Sequence, residues 1–186
     1  MTNVQVKHQA GPVVWFTGLS GAGKTTLCRA VAEDLKAKGH PTQILDGDVV
    51  RSELWRDLGY SDQDRLENNR RLTYLARLLS EHGITVLVAA ISPLQSMRDF
   101  ARSSVTFFCE VFVDAPLSVC EQRDPKGLYR RARAGNLQNF TGIDAPYEAP
   151  GAPDVICCTA HESVTQSAAK VSEFLEDLYV RRTVGG

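Results

Sequence analysis

The sequence predicts an α/β protein in three layers, a parallel sheet of about five strands with helices on both faces. Three observations carry that expectation. Short apolar runs recur along the chain, each nearly continuous, as strands buried on both faces require. Between them lie stretches whose apolar residues repeat at helical spacing. The residues with chemical potential follow the runs directly, and open parallel sheets bind ligands outside the carboxyl ends of their strands.

Taken in order, a polar lead-in over residues 1–12 closes at Gly11-Pro12 and reads as a tail. Val13 to Thr17 is the first strand, continuous and apolar up to its last residue. From Thr25 to Lys38 the pattern becomes helical through Leu27, Ala30, Val31 and Leu35, and Gly39 stands where a C-cap belongs. Thr42 to Leu45 gives the second strand and runs into Asp46-Gly47-Asp48. A turn near Gly59-Tyr60-Ser61 opens a long helix with Leu66, Leu72, Leu75, Ala76 and Leu79 on one face, stopped by Gly83. Residues 84–88, 107–113 and 154–158 supply the remaining strands. A last helix carries Val164, Ala168, Val171, Leu175 and Leu178 on one side, and the segment RRTVGG frays from its end. Strand twist makes the crossovers right-handed.

Composition narrows the function classes. A chain of 186 residues fits one domain, large enough to bury a core without crosslinks. Twenty-one Lys and Arg against 22 Asp and Glu leave a net charge of −1, which gives no sign of a general nucleic-acid or membrane-surface binder. The five cysteines are odd in number and never spaced C-x-x-C, so they read as small buried hydrophobes in a reducing compartment. The four histidines form no ligand pair. The longest apolar run, Ile84 to Ile91, falls far short of the ~20 residues that span a bilayer. No apolar leader opens the chain, and a soluble, cytoplasmic protein is expected.

The strongest motif follows the first strand. Gly18-Leu19-Ser20-Gly21-Ala22-Gly23-Lys24-Thr25-Thr26 is a full G-x-x-x-x-G-K-[ST] match, placed between a strand and a helix as a P-loop NTPase fold requires. Glycines let the backbone curl so that N–H groups converge on phosphate oxygens, and the new helix turns its positive end to the same anion. Gly18, Ser20, Gly21, Ala22, Gly23, Lys24, Thr25 and Thr26 are therefore expected to hold ATP. Lys24 would reach its β- and γ-phosphates and the Thr25 hydroxyl would ligate Mg²⁺. Asp46 and Asp48 follow the second strand, where carboxylates can hold Mg²⁺ or take a proton from an attacking hydroxyl. An N-cap role for Asp48 is the alternative.

Further along, Arg51, Tyr60, Arg65 and Asn68 suggest a pocket for a planar anion, with Tyr60 able to stack on a purine. Arg65 and Asn68, three apart, share a helix face, whereas Arg70 and Arg71 read equally well as a solvated surface. Arg123, Lys126, Arg130, Arg131 and Arg133 place five cations within eleven residues, offset by Glu121 and Asp124. A cationic lid closing on phosphates and a solvated basic helix are the two readings of that run.

The segments GLSGAGKTTL (18–27), DGDVVR (46–51), YSDQDRLENNRR (60–71), ISP (91–93), DPKGLYRRARAG (124–135) and FTGIDAPYEAP (140–150) resemble the adenylylsulfate kinase family. The resemblance implies transfer of the ATP γ-phosphoryl to the 3′-hydroxyl of adenosine 5′-phosphosulfate. It assigns Lys24, Asp46 and Ser92 to catalysis and Thr25 and Asp46 to the metal. Asp46, Asp48, Arg51, Tyr60, Arg65, Asn68, Ile91, Ser92, Pro93, Lys126, Gly127, Leu128 and Phe140 would bind the acceptor. Residues 123–150 would form the lid and substrate segment, with Phe140 and Tyr60 sandwiching adenine. The family also implies a phosphoserine intermediate at Ser92; direct in-line transfer needs none and would leave Ser92 a hydrogen-bonding residue. A homodimer and a functional link to ATP sulfurylase are further implications. The chain departs from the family's pattern at Tyr60, usually phenylalanine, at Leu94, commonly aromatic, and at Asn69, usually isoleucine. A kinase of another small acceptor and a non-catalytic module that binds adenylylsulfate nucleotides are the rival readings.

Overall fold

The structure is a computed structural model that describes residues 9–184, with side chains to residue 180. Five parallel strands form one sheet: β1 (Val13–Thr17), β2 (Thr42–Asp46), β3 (Thr85–Ala89), β4 (Phe108–Asp114) and β5 (Val155–Cys158), in the order β2-β3-β1-β4-β5. All five residues of β1 are buried because strands lie on both edges of it and helices on both faces. Val14 and Phe16 face one side with Leu87, Cys109 and Val111; Val13 and Trp15 face the other with Leu45, Val86 and Val88. That period of two fills both cores from one continuous apolar run.

On the first face α1 (Lys24–Ala37) packs through Leu27, Cys28, Val31 and Leu35 beside α7 (Val164–Val184), which contributes Ala168, Val171 and Leu175. On the second lie α2 (Gly47–Leu54), α3 (Asp62–Glu81) and α4 (Gln95–Ser104). Two short helices, α5 (Leu117–Arg123) and α6 (Leu128–Arg133), follow β4. The helix after β1 thus covers one face and the helix after β3 the other. The loops leaving these neighbouring strands diverge and open a crevice between Thr17 and Ala89, the switch point at which such sheets bind ligands.

The elements confirm the expected class and shift some details. β3 and β4 each start and end one residue later than the apolar runs; before β3, Ile84 closes the C-terminal turn of α3 through its N–H to the Leu79 carbonyl at 3.3 Å. Leu66 stays 43% exposed, off the apolar face formed by Leu72 and Ala76, and Val164 is likewise exposed at the start of α7. Helix α7 continues through residues 181–184, so RRTVGG does not fray at Arg181; residues 185–186 lie outside the described residues, as do residues 1–8 of the tail. The α4 helix had no sequence signature. Its N-cap, Leu94, has no capping side chain, and the Gln95 N–H instead donates to the Glu148 carboxylate at 2.6 Å from 53 residues away.

Among the described residues no helix is long and apolar enough to cross a membrane. Every cysteine is free, with Cys28, Cys109, Cys120 and Cys157 buried and Cys158 half-buried. Burial raises the pKa of those four buried thiols, that of Cys157 to about 11, which removes the reactive thiolate at neutral pH. A thiol reagent at pH 8 should therefore label about one cysteine in the native protein, Cys158, and all five in denaturant. Mass spectrometry of the labelled protein checks this, and fast labelling of Cys28 or Cys109 would contradict it.

Candidate active site

The phosphate loop leaves β1 at Gly18, whose φ of +151° brings its α-carbon so near β4 that a β-carbon would lie 2.4 Å from the Val113 carbonyl oxygen. Only glycine fits there. Gly23, at φ +105°, is the N-cap of α1 and offers no side chain to the helix end, leaving the first-turn N–H groups open to a phosphate. Lys24 folds back and donates to the Gly18 and Leu19 carbonyls at 2.9 and 2.8 Å. Burial lowers its pKa to about 8, against the opposing pull of Asp48 and, more weakly, Asp46. The Thr25 hydroxyl donates to Asp46 Oδ2 at 2.6 Å, joining the start of α1 to the end of β2.

Asp46, and not Asp48, caps α2: its Oδ1 accepts from the Asp48 and Val49 N–H groups at 3.0 and 3.4 Å. Asp48 is left projecting, and Lys126 meets it at 2.5 Å. Two cavities flank this contact. The first, of about 740 Å³, is lined by the loop from Ser20 to Thr26, with Asp46, Arg123 and Thr159. The second, of about 400 Å³, is lined by Arg51, Tyr60, Arg65, Asn68, Ile91, Ser92, Pro93, Leu128 and Phe140. Ser20, Asp48, Ala90, Ile91 and Lys126 line both, so the cavities share a rim. Of the residues expected to bind ATP or the acceptor, Gly18 and Gly127 line neither. Gly18 supplies the carbonyl that Lys24 holds, and Gly127, at φ +66°, is the N-cap of α6.

The second cavity is braced by arginines. Arg51 donates to Asn68 Oδ1 at 3.2 Å and to the Gly59 carbonyl, and its guanidinium lies 4.8 Å from the centre of the Tyr60 ring. Arg65 reaches from α3 to the far wall, donating to Thr141 Oγ1 at 2.9 Å and to the Asn139 carbonyl. Tyr60 remains 65% exposed, whereas Phe140 is buried edge-on against Tyr129 at 5.0 Å. Arg70 and Arg71 face away, toward a separate groove between α3 and α4, where Arg71 forms a two-pronged pair with Asp57.

The basic run divides by direction. Lys126 and Arg131 line the second cavity and Arg123 the first, while Arg130 and Arg133 face outward and Arg133 pairs with Glu121 at 2.5 Å. Tyr129 anchors this segment to the phosphate loop by donating to the Ser20 carbonyl at 2.9 Å. Arg123 does the same with the Thr159 carbonyl at 2.6 Å, while Thr159 donates to the Ala22 carbonyl at 2.7 Å.

Several supporting residues had no sequence signal. Arg98 is 1% exposed on α4 and pairs with Glu110 of β4 at 2.8 Å. It also donates to the Ser92 and Glu148 carbonyls at 2.8 and 2.7 Å, fastening the 91–93 loop to the segment around Glu148. Trp15 and Asn69 both hydrogen-bond the Ser92 hydroxyl, and Tyr147 meets the Thr17 hydroxyl at 3.0 Å. In sequence Arg98 looked like an ordinary surface arginine and Trp15 like a core tryptophan, while Asn69 stood out only as a departure from the family's usual isoleucine.

Known proteins resemble this chain in sequence and fold. The family model for adenylylsulphate kinase matches residues 10–158. The chain belongs to the adenylylsulfate kinase family, a family of phosphotransferases. It is 55% identical over 165 residues to an adenylyl-sulfate kinase from Synechococcus sp. (strain JA-3-3Ab), covering 89% of this chain and 94% of that protein. An adenylyl-sulfate kinase of Halothermothrix orenii is 53% identical, covering 92% of this chain and 93% of that protein. Among solved structures, the Mycobacterium tuberculosis APS kinase in complex with AMPPNP and APS superposes with a TM-score of 0.87 at 48% identity, covering 90% of this chain and 98% of that one. A sugar kinase from Janibacter sp., at 17% identity and a TM-score of 0.62, shares the fold alone.

The Arg98–Glu110 pair gives a stability prediction. Arg98→Met strips Glu110 of its nearer partner and leaves it with Arg102 at 3.4 Å. Unfolding free energy should fall by about 3 kcal/mol, as for other broken buried ion pairs. Denaturant melts check it, and a loss below about 1 kcal/mol would mean that Arg102 alone satisfies the carboxylate.

Proposed function

We propose that this chain transfers the γ-phosphoryl group of ATP to the 3′-hydroxyl of adenosine 5′-phosphosulfate, giving ADP and 3′-phosphoadenosine 5′-phosphosulfate. The observation that carries the reading is the shared rim of the two cavities: one is built on a phosphate loop, the other on arginines and aromatic rings, and Asp48 and Lys126 stand where they meet. ATP takes the first cavity, its phosphates on the loop N–H groups and Lys24. Adenylylsulfate takes the second, its anionic groups toward Arg51 and Arg65 and its adenine between Phe140 and the ring face of Tyr60 opposite Arg51.

The residues fit Mg²⁺. The Thr25 hydroxyl and Asp46 carboxylate are hard oxygen donors 2.6 Å apart beside the phosphate loop. Mg²⁺ ordinarily takes one or two protein oxygens and leaves its other positions to substrate phosphates and water. Bound there, the ion would neutralise charge on the β- and γ-phosphate oxygens. Asp46 is thus assigned to the metal. Asp48, which lines both cavities, orients the acceptor hydroxyl and takes its proton during in-line attack. Lys126 releases Asp48 as the substrates enter and turns its charge to their anions. Arg123 and Arg131 add positive charge on either side of the transferred group. Ser92 remains unmodified, since its hydroxyl proton is already given to the neutral Asn69 amide. A homodimer, a cytoplasmic location and supply of the acceptor by ATP sulfurylase belong to the same reading.

A coupled ADP-release assay tests it. Turnover should require both adenylylsulfate and Mg²⁺. Lys24→Ala, Asp46→Asn and Asp48→Asn should each lower kcat by two or more orders of magnitude with the fold intact, as the loss of charge-stabilising or proton-accepting groups does elsewhere. Asp46→Asn should also raise the Mg²⁺ concentration required, and Asp48→Asn should not. Nucleotide binding without turnover would leave a non-catalytic module, and turnover of a different acceptor would leave another small-molecule kinase.

A further inference from the structure

Ser92 lines the acceptor cavity at a φ of +42°, a left-handed conformation that a residue with a β-carbon keeps only when its surroundings enforce it. Arg98 donates to its carbonyl at 2.8 Å and the Trp15 indole N–H to its hydroxyl at 3.0 Å. The hydroxyl donates in turn to the amide oxygen of Asn69 at 2.9 Å. The amide nitrogen of Asn69 donates to the Met97 carbonyl on α4, also at 2.9 Å. Trp15, Asn69 and Ser92 are all buried.

A serine hydroxyl has one proton and two lone pairs. Here the proton goes to Asn69 and one lone pair to Trp15, so two neighbours fix the hydroxyl's direction. Asn69 and Asn68 are consecutive on α3, and a helix turns about 100° per residue. Their side chains therefore reach different walls of the same cavity: Asn68 accepts from Arg51, while Asn69 binds Ser92 and Met97. A rotation of about 100° on α3 separates the arginine wall from the 91–93 wall.

We propose that Asn69 is a positioning residue for the acceptor. It acts through Ser92, holding residues 91–93 in the strained conformation that shapes the cavity before adenylylsulfate arrives. Such preorganisation lowers the ordering cost of binding, so its loss appears in acceptor affinity more than in turnover. The inference rests on the acceptor assignment made above.

Steady-state kinetics of Asn69→Leu, Ser92→Ala and the double variant test it, because leucine keeps the shape of asparagine and removes both hydrogen bonds. Each single variant should raise KM for adenylylsulfate about tenfold while kcat and KM for ATP stay within about twofold. The double variant should be no worse than the worse single one, since both changes break one contact. Multiplicative effects, an unchanged acceptor KM, or equal losses toward both substrates would overturn the proposal. The NMR resonance of the Trp15 indole N–H, read in a Trp55→Phe background, should shift in Asn69→Leu. A resonance that ignores Asn69→Leu defeats the inference. That readout decides even if wild-type protein leaves adenylylsulfate unphosphorylated, a result that would remove the proposed function instead.

Discussion

Burial of β1 on both faces and both edges is the constraint from which the site follows. A strand so enclosed cannot shift along its own axis, because a one-residue slip would carry Trp15 and Phe16 to the wrong cores. Its carboxyl end is therefore a fixed point, and the phosphate loop starts one residue beyond it. Gly18 lies against β4 and Lys24 binds the loop's own carbonyls, so the loop inherits the rigidity of the sheet. The neighbouring strand ends bring Asp46 and the 91–93 segment to the same rim.

Around this fixed point the molecule is tied together by polar contacts between segments far apart in the chain. Thr25 joins Asp46, Tyr129 joins Ser20, Arg65 joins Thr141, and Arg98 joins Ser92 to Glu148. Most of these tether a loop that carries function to an element that does not move, the arrangement that holds a reactive geometry within tolerance. The Lys126–Asp48 pair differs in character, being exposed and therefore weak in water.

The fold class and the phosphate loop were legible because each rests on local rules. Continuous apolar runs specify strands buried on both faces, and the glycine spacing before Lys24 specifies a backbone that curls around anions. The residues lining the second cavity were legible as types, since arginine and tyrosine after a strand end suit a nucleotide anion. Helix α4 was not, because its N-terminus is satisfied by Glu148 and its own sequence contains no cap. Arg98 was not, because a buried arginine looks like any surface arginine until Glu110 is found opposite it.

What the sequence determined by itself was the sheet, the order of its strands' chemistry and the loop that holds phosphate, since neighbours within a few residues decide them. The tertiary structure decided the division of labour. It showed which aspartate caps α2, which cations of residues 123–133 line the cavities, and that the Ser92 hydroxyl is committed to Asn69 and Trp15. Each of those depends on which hydrogen-bond partner a side chain meets across the fold, and a polar group's role changes with that partner.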